Sequence, residues 1–166
     1  ELQKQKTLKK PVYILLVLVL VIQSTSALSQ KEGLNWYFGY NAGLRFDEGN
    51  AIPMTNGKMR TSEGCASISS PCGILMLYTD GDTVWNAMHR VILGGSGLMG
   101  SPSSTQSGVI VPCPDDTTMY YIFTVNSLDV GQLRTGFRYT LVDTKISDGY
   151  GGVVADNKNV LICSSA

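Results

Sequence analysis

Apolar residues are concentrated first in one long run near the start of the chain. The basic stretch KTLKK at 6–10 precedes PVYILLVLVLVI at 11–22, and QSTSALSQ at 23–30 then turns polar and small. A basic segment, a short apolar segment and a small-residue exit are typical of a secretory signal peptide. The apolar segment is also shorter than the ~20 residues that cross a bilayer as a helix. The pattern therefore predicts an exported protein.

We predict cleavage after Ser29, because Ala27 and Ser29 place small side chains where signal peptidase prefers them. Residues 1–29 are then the signal peptide and residues 30–166 the exported part, with no stable membrane span. The alternative is an uncleaved N-terminal anchor, since residues 11–27 are nearly long enough to span a membrane.

After the leader, apolar residues fall in short runs separated by glycine and acidic residues, which favours strands over helices. NWYFGYNAGLRF at 35–46 predicts a strand followed by a turn. Three further stretches predict the strands of an antiparallel meander: CASIS at 65–69, GILMLYTDG at 73–81 and DTVWNAMHRVI at 82–92. Eighteen glycines and eight tyrosines agree with an all-β chain rich in tight turns.

The same pattern recurs in the second half of the chain. SGVIVP at 107–112, MYYIFTVNS at 119–127 and GFRYTLVDTKI at 136–146 predict three more strands, and residues 77–79 match residues 122–124 at an offset of 45. Repeats of about 40 to 50 residues that carry several strands are typical of propeller blades. The sequence predicts an all-β fold, an incomplete β-propeller of about two to three blades. A β-sandwich is the alternative.

Both ends of the chain indicate a fragment, because it begins at Glu1 and stops just after the strand-like run KNVLIC at 158–163. We expect residues 30–166 to be the N-terminal part of a propeller-like domain, truncated at its C-terminus. Without residues 1–29, nine basic and twelve acidic side chains remain, a formal net charge of about −3. That sign argues against binding to nucleic acid or anionic lipid.

The stretch YTDGDTVW contains two carboxylates that could converge on a calcium ion, Asp80 and Asp82. The spacing fails the EF-hand pattern, because glycine separates the aspartates and no glutamate follows at the required distance. Asp-Gly is a favoured two-residue hairpin turn, which explains the residues more simply. His89 is the one histidine of the chain, and no G-x-S-x-G stretch accompanies it, so no hydrolytic triad is predicted.

Two other features have ordinary explanations. The glycine-rich stretch at 94–107 lacks the lysine of a phosphate-binding loop and precedes a strand, so we expect a connecting loop. Aromatic side chains could stack on carbohydrate, although we expect them to fill blade cores; they are Trp36, Tyr37, Phe38, Tyr40 and Trp85. We predict no catalytic, cofactor-binding or metal-binding residue in this chain.

Four cysteines remain after the leader: Cys65, Cys72, Cys113 and Cys163. Export permits disulfides, and the first two could bridge neighbouring strands of a hairpin. Buried unpaired thiols are an equally open alternative. A four-thiolate zinc site is disfavoured, because no C-x-x-C spacing occurs.

Several segments, taken in order, resemble the N-terminal portion of large secreted or cell-surface proteins of Bacteroidetes, described as gliding-motility-associated or type IX secretion substrate proteins. They are NWYFGYNAGLRF, TSEGCASIS, GILMLYTDGDTVWN, GSGLMGSPSSTQSGVIVPCP, YYIFTV and FRYTLVDTKISDGYGGVVADNKNVLI. The likeness covers the chain from Asn35 onward. It implies a propeller-like β domain, followed in longer members by PKD or other immunoglobulin-like modules and a C-terminal sorting domain. The four cysteines depart from this resemblance.

The expected function is non-enzymatic: adhesion, gliding motility or extracellular binding, by a protein that is secreted or displayed on the outer cell surface. Expected partners are the export machinery and an extracellular protein or polysaccharide ligand. The alternative is a glycan-acting or other propeller enzyme whose active site lies mostly outside this chain.

Overall fold

The computed structural model describes residues 31–126 and 136–164, and the predicted signal peptide at 1–29 lies outside them. Within the described residues the chain is all-β, with one short 3-10 turn at Ala155–Asn157. The strands are β1 (Asn35–Phe38), β2 (Ala42–Asp47), β3 (Asn50–Met54), β4 (Ala66–Ser69), β5 (Leu75–Thr79), β6 (Val84–Asn86), β7 (Gly108–Cys113), β8 (Asp116–Val125), β9 (Phe137–Asp143), β10 (Gly152–Val153) and β11 (Val160–Cys163). No helix in this part of the chain has the length and apolar character needed to cross a membrane.

The first sheet is the antiparallel meander β1-β2-β3. Its second hairpin closes with Glu48 and Gly49, both at positive φ, which is the backbone of a type I′ turn. The sequence pattern predicted β1 and the turn after it, but it did not resolve β2 as a separate strand and gave no sign of β3. That strand contains Pro53, which is tolerated here because β3 is an edge strand and offers one side without a ladder partner.

The second sheet is the meander β4-β5-β6, as the sequence predicted. The prediction of one strand over 82–92 is wrong beyond Asn86, because the chain reverses there. The Asn86 side chain holds the reversal: its Oδ1 accepts hydrogen bonds from the backbone N–H groups of Met88 (3.0 Å) and Arg90 (3.1 Å). Val91 then returns as an antiparallel bridge to Trp85.

The third sheet has the order β10-β9-β8-β7, and β11 also pairs with β9. Its main hairpin turns at Pro114 and Asp115, between two of the predicted strands. The long central strand β8 pairs with β7 on one side and β9 on the other, so that Ile122 lies between Ile110 and Thr140. The three strands that the sequence predicted in this half of the chain correspond to β7, β8 and β9.

Two apolar clusters hold the sheets together. The larger lies between the second and third sheets and contains Ile68, Leu77, Val84, Ile92, Leu98, Ile110, Tyr120, Ile122 and Val142. The smaller lies between the first and second sheets and contains Tyr37, Met59, Leu75, Tyr78 and Trp85. Each fully buried aliphatic side chain of this kind stabilises the fold by about 1.5–3 kcal/mol. The second sheet is thus covered on both faces.

The first strands of the three sheets lie side by side, because β1 contacts β4 and β4 contacts β7. Ser67 Oγ on β4 donates a 2.9 Å hydrogen bond to the backbone oxygen of Asn35 on β1, and Asn35 Nδ2 donates to Ser69 Oγ at 2.9 Å. Near the start of β7, Ser107 Oγ donates to the backbone oxygen of Gly64 at 2.6 Å. A Cβ at Gly64 would lie 2.3 Å from the Ser107 nitrogen, so the approach requires glycine.

The all-β prediction is confirmed. The described residues form three open sheets and do not show the predicted propeller, and the arrangement is compatible with a β-sandwich.

Candidate functional site

His89 lies at the junction of the first and second sheets, against two tyrosine rings. Its ring centroid is 5.3 Å from that of Tyr37 on β1 and 5.7 Å from that of Tyr78 on β5. Nδ1 is 3.1 Å from the Tyr78 hydroxyl, and Nε2 is 2.7 Å from Nδ2 of Asn56, which follows β3. The Tyr37 hydroxyl completes the network by donating to Asn56 Oδ1 at 3.1 Å. We call these four residues the His89 cluster.

The backbone turn at 87–89 positions the imidazole of His89. His89 has a φ of 60°, in the left-handed region, which costs a non-glycine residue roughly 1–2 kcal/mol. The Asn86 side chain and the His89 N–H bond to the Asn86 oxygen (2.9 Å) hold the turn in this shape. Tyr78 is sandwiched between Tyr37 (4.8 Å) and Trp85 (5.3 Å), so the wall beneath the imidazole is rigid.

Both ring nitrogens of His89 have partners within the protein. The Asn56 amide donates to Nε2, so the neutral ring carries its proton on Nδ1 and donates it to the Tyr78 oxygen. That oxygen also accepts the backbone N–H of Lys58 at 3.2 Å. Burial lowers the pKa of His89, and the nearby Lys58 ammonium lowers it further, while burial raises the pKa of Tyr78 to about 12. The cluster is neutral near pH 7 and links the two sheets.

Sequence reasoning set His89 aside because the chain holds no second histidine. The partner Asn56 is 33 positions away, in a loop whose preceding strand was not predicted, so no local pattern connects the two. Tyr78 is 11 positions away on a predicted strand, and its buried face was the one usable signal.

The acidic turn at 80–83 is held by the side chain of its first residue, Asp80. Asp80 Oδ1 accepts the backbone N–H groups of Asp82 (3.0 Å) and Thr83 (2.8 Å). Burial raises the pKa of Asp80 more than these bonds lower it. Asp82 is exposed, and its Oδ2 accepts the Thr83 hydroxyl at 3.1 Å. Across residues 31–126 and 136–164, the structure contains no group of three or more metal-ligating side chains.

The turn differs from the expected two-residue hairpin in length and exposure. Four residues connect Thr79 to Val84, and Gly81 adopts a φ of 90°. A Cβ at Gly81 would lie 2.7 Å from that of Ser107, so the turn packs against the start of β7. The Gly94–Ser107 stretch is a loop that leads into a strand, as predicted, and Leu98 anchors it in the core.

All four cysteines are free. The considered Cys65–Cys72 bridge is not found, because β4 separates the two residues. Four strand residues at about 3.3 Å each span roughly 13 Å, against the ~7 Å limit between bridged Cα atoms. Cys72 lies in the exposed turn between β4 and β5, and Cys113 and Cys163 end β7 and β11. Burial raises the pKa of Cys65, and the Asp80 carboxylate adds to this.

The aromatic side chains near the start divide between core and surface. Tyr37 and Trp85 are buried in the smaller cluster, as expected. Trp36, Phe38 and Tyr40 are exposed, contrary to the expectation that they fill cores. Trp36 packs edge-on against Phe46, with ring centroids 5.0 Å apart.

The first sheet therefore has an apolar side that faces away from the second sheet. The strand register places these residues on it: Trp36, Phe38, Ala42, Leu44, Phe46, Ala51 and Pro53. The third sheet has a similar, mainly apolar side, away from the larger cluster: Val109, Val111, Met119, Tyr121, Phe123, Val125, Phe137, Tyr139 and Leu141, with Asp143 at the end of β9. We call these the outer face of the first sheet and the outer face of the third sheet.

A small groove lies between β5 and the loop that follows β9. Its volume is about 90 Å³, and Met88 and Tyr150 contribute to its walls. Asn86 Nδ2 donates to the Tyr150 backbone oxygen at 2.8 Å, and the Arg90 guanidinium lies 5.6 Å from the centre of the Tyr150 ring. Ligand pockets usually measure about 300–1,000 Å³, so this groove holds only a few water-sized groups.

In comparisons with known proteins, no family model, curated protein or solved structure matches the chain. The resemblance to Bacteroidetes surface proteins therefore stays a prediction from the sequence.

Proposed function

We propose that the chain belongs to an exported, non-enzymatic protein that acts in extracellular binding or adhesion, of the kind associated with gliding motility. Its three sheets are blades of a β-propeller. The observation that carries the proposal is the packing of the sheets: the second is covered on both faces, while the first and third each keep one mainly apolar face. Open apolar faces of this size mark interaction surfaces.

The order of the strands supports the proposed propeller arrangement. In a propeller, each blade is a meander that packs face to face with the next, and the first strands surround a common axis. Here each sheet contains such a meander, and β1, β4 and β7 are neighbours. Three consecutive blades agree with this arrangement.

The leader pattern and the charge guide the proposed location and partners. A cleaved segment at 1–29 directs the protein to the export machinery and then to the cell surface or medium. The exported part is mildly acidic, which disfavours nucleic acid. We propose an extracellular protein or polysaccharide as the ligand, bound at the loops that end the blades, where propellers present variable residues on a rigid frame.

The second candidate is a glycan-acting or other propeller enzyme, and the His89 cluster is the observation that bears on it. An imidazole next to two phenols has the chemistry of a general acid or base. Its two nitrogens are already bound to Asn56 and Tyr78, so base catalysis would first have to break one of these bonds. The geometry therefore favours a structural role for His89 and binding for the protein.

Measurements of surface display and of attachment, made in cells of the source organism, test this proposal. We expect a protease added to intact cells to remove the protein, and N-terminal sequencing of the exported species to begin at Gln30. Deleting the gene should reduce attachment to protein-coated or polysaccharide-coated surfaces, and the restored gene should recover it. A protein retained inside the cell, or unchanged attachment after deletion, contradicts the proposal.

A further inference from the structure

The outer faces of the first and third sheets have the composition of surfaces that are normally covered. The outer face of the first sheet carries no charged side chain in the registers given above, and that of the third sheet carries one, Asp143 at the end of β9. Trp36 on the first face is 51% exposed, and Val125 on the second is 44% exposed. Rings line up along the third sheet, where Phe123 lies 5.4 Å from Phe137 and 6.0 Å from Tyr121. Soluble proteins rarely leave two such faces open.

The covered junctions of the same molecule show what fits such faces. Between the first and second sheets, Tyr37 stacks on Tyr78 at 4.8 Å. Between the second and third, Leu77 and Ile122 share one cluster. Aromatic and aliphatic side chains on one sheet therefore meet the same types on the next. The two outer faces offer these side chains again, one with a tryptophan and two phenylalanines, the other with valines and a row of rings.

We infer that two copies of the chain associate in a closed pair, in which the outer face of the first sheet of each copy packs on the outer face of the third sheet of the other. This inference rests on the propeller arrangement in the proposed function. Two copies supply six sheets, within the four to eight blades of known propellers. Two-fold symmetry closes the ring with two equivalent junctions and leaves no apolar face open.

The size of the junctions is sufficient for a stable pair. Strands about 4.8 Å apart give roughly 240 Å² for the face of the first sheet, whose strands have four to six residues, and roughly 370 Å² for that of the third, where β7 to β9 have six to ten. Closing the pair covers four faces, roughly 1,200 Å² in all, at the lower end of the range for specific complexes. A contact that joined only one pair of faces would cover roughly half of this, so closure of both junctions is what stabilises the pair.

The test measures the mass of the purified exported protein by light scattering during size-exclusion chromatography, across a range of concentrations. We expect a species of twice the chain mass. One double variant, Trp36→Glu with Leu44→Glu, alters the outer face of the first sheet. A second, Val109→Glu with Val125→Glu, alters that of the third. Each double variant should be monomeric, with a dimer dissociation constant raised about tenfold or more. Ile74→Glu, at a residue 64% exposed in the turn before β5, is the matched control and should stay dimeric.

Mixing the two double variants distinguishes a lost face from misfolding, because two misfolded variants would not restore the dimer. Each retains the face that the other has lost, so the mixture forms one intact junction and should dimerise more tightly than either variant alone, although less tightly than the wild-type protein. A wild-type monomer, an open series of larger species, or dimers that survive both double variants would overturn the inference. A monomer that still attaches cells to surfaces leaves the proposed function standing, with another sheet or a ligand as the cover. A dimer without surface display contradicts the proposed function only.

Discussion

Tyr37 and Tyr78 stack with ring centroids 4.8 Å apart and planes inclined by 22°, and this contact joins the first sheet to the second. Both rings are buried, although their hydroxyls reach the polar His89 cluster. The junction thus combines an apolar interior with a hydrogen-bonded outer edge. The same edge carries the one titratable imidazole of the chain, which makes the junction sensitive to both packing and pH.

Removing the Tyr78 hydroxyl should destabilise the fold. In Tyr78→Phe, the Lys58 N–H and the His89 Nδ1–H lose their common acceptor, at a cost of about 1–3 kcal/mol. Chemical denaturation of the variant measures the change in the free energy of unfolding. Tyr40→Phe is the control, because Tyr40 is 71% exposed, and it should be neutral. Equal effects for the two variants would mean that the buried hydroxyl bonds contribute nothing.

Stability should fall as the pH drops through the range where histidine titrates. The folded state lowers the pKa of His89, so the unfolded chain, with an ordinary pKa near ~6.5, binds the proton more readily. The contribution of the neutral ring is therefore complete above the unfolded value and is lost as the pH falls from there toward the folded pKa. The groups around the ring are Tyr37, Tyr78, Asn56 and Lys58. Of these, Lys58 is the charged one and opposes protonation.

Thermal melting between pH 8 and pH 5.5 measures this dependence. His89→Asn is the matched variant, because asparagine accepts the left-handed backbone and does not titrate. The drop in melting temperature toward acid should be smaller in this variant than in the wild-type protein. Parallel curves would show that His89 does not couple folding to pH.

The two aspartates of the acidic turn should differ sharply. Asp80→Ala leaves the N–H groups of Asp82 and Thr83 without their acceptor, which should cost about 1–3 kcal/mol. Asp82→Asn should change the free energy of unfolding by less than about 0.5 kcal/mol, because the side chain is exposed. Calcium should leave both melting temperatures unchanged. A calcium-dependent rise that disappears in Asp82→Asn would show that the turn is a metal site.

Gly64→Ala should loosen the contact between β4 and β7. The added Cβ would lie 2.3 Å from the Ser107 nitrogen and 2.4 Å from the Ser104 oxygen, and backbone atoms cannot move aside cheaply. We expect a loss of about 1–3 kcal/mol or more in chemical denaturation. Gly33→Ala is the control, since its nearest neighbour is a ring atom 4.0 Å away. If both variants have the same free energy of unfolding, the chain does not approach so closely at Gly64 and Ser107.

The sequence predicted the central strands well, because β5 and β8 both appear as unbroken apolar runs. β5 is buried on both sides, whereas β8 buries one side in the larger cluster and carries further apolar residues on the outer face of the third sheet. It missed β3, where Pro53 and exposed positions hide the strand pattern. It also missed the His89 cluster, since Asn56 and His89 meet only after the first two sheets pack. The sequence indicated a turn at Asp80, but it did not indicate that this turn packs against Ser107.

The predicted repeat shows a further limit of sequence patterns. The offset of 45 matches Leu77 with Ile122, yet the two lie in one cluster, with Leu77 directed to the third sheet and Ile122 to the second. A rotation from one blade to the next would place equivalent residues on corresponding faces. A shift of one residue moves every side chain of a strand to the opposite face of the sheet. An unbroken apolar run does not indicate which residues point to which face. The neighbouring first strands therefore support the propeller proposal, and the sequence offset does not.

A crystal structure of the exported protein tests the blade arrangement most directly. We predict that β1, β4 and β7 lie around a common axis and that further sheets, from the same or a second copy, cover the outer faces of the first and third sheets. A closed two-layer sandwich, with the second and third sheets as its layers and both outer faces in solvent, would contradict the propeller proposal.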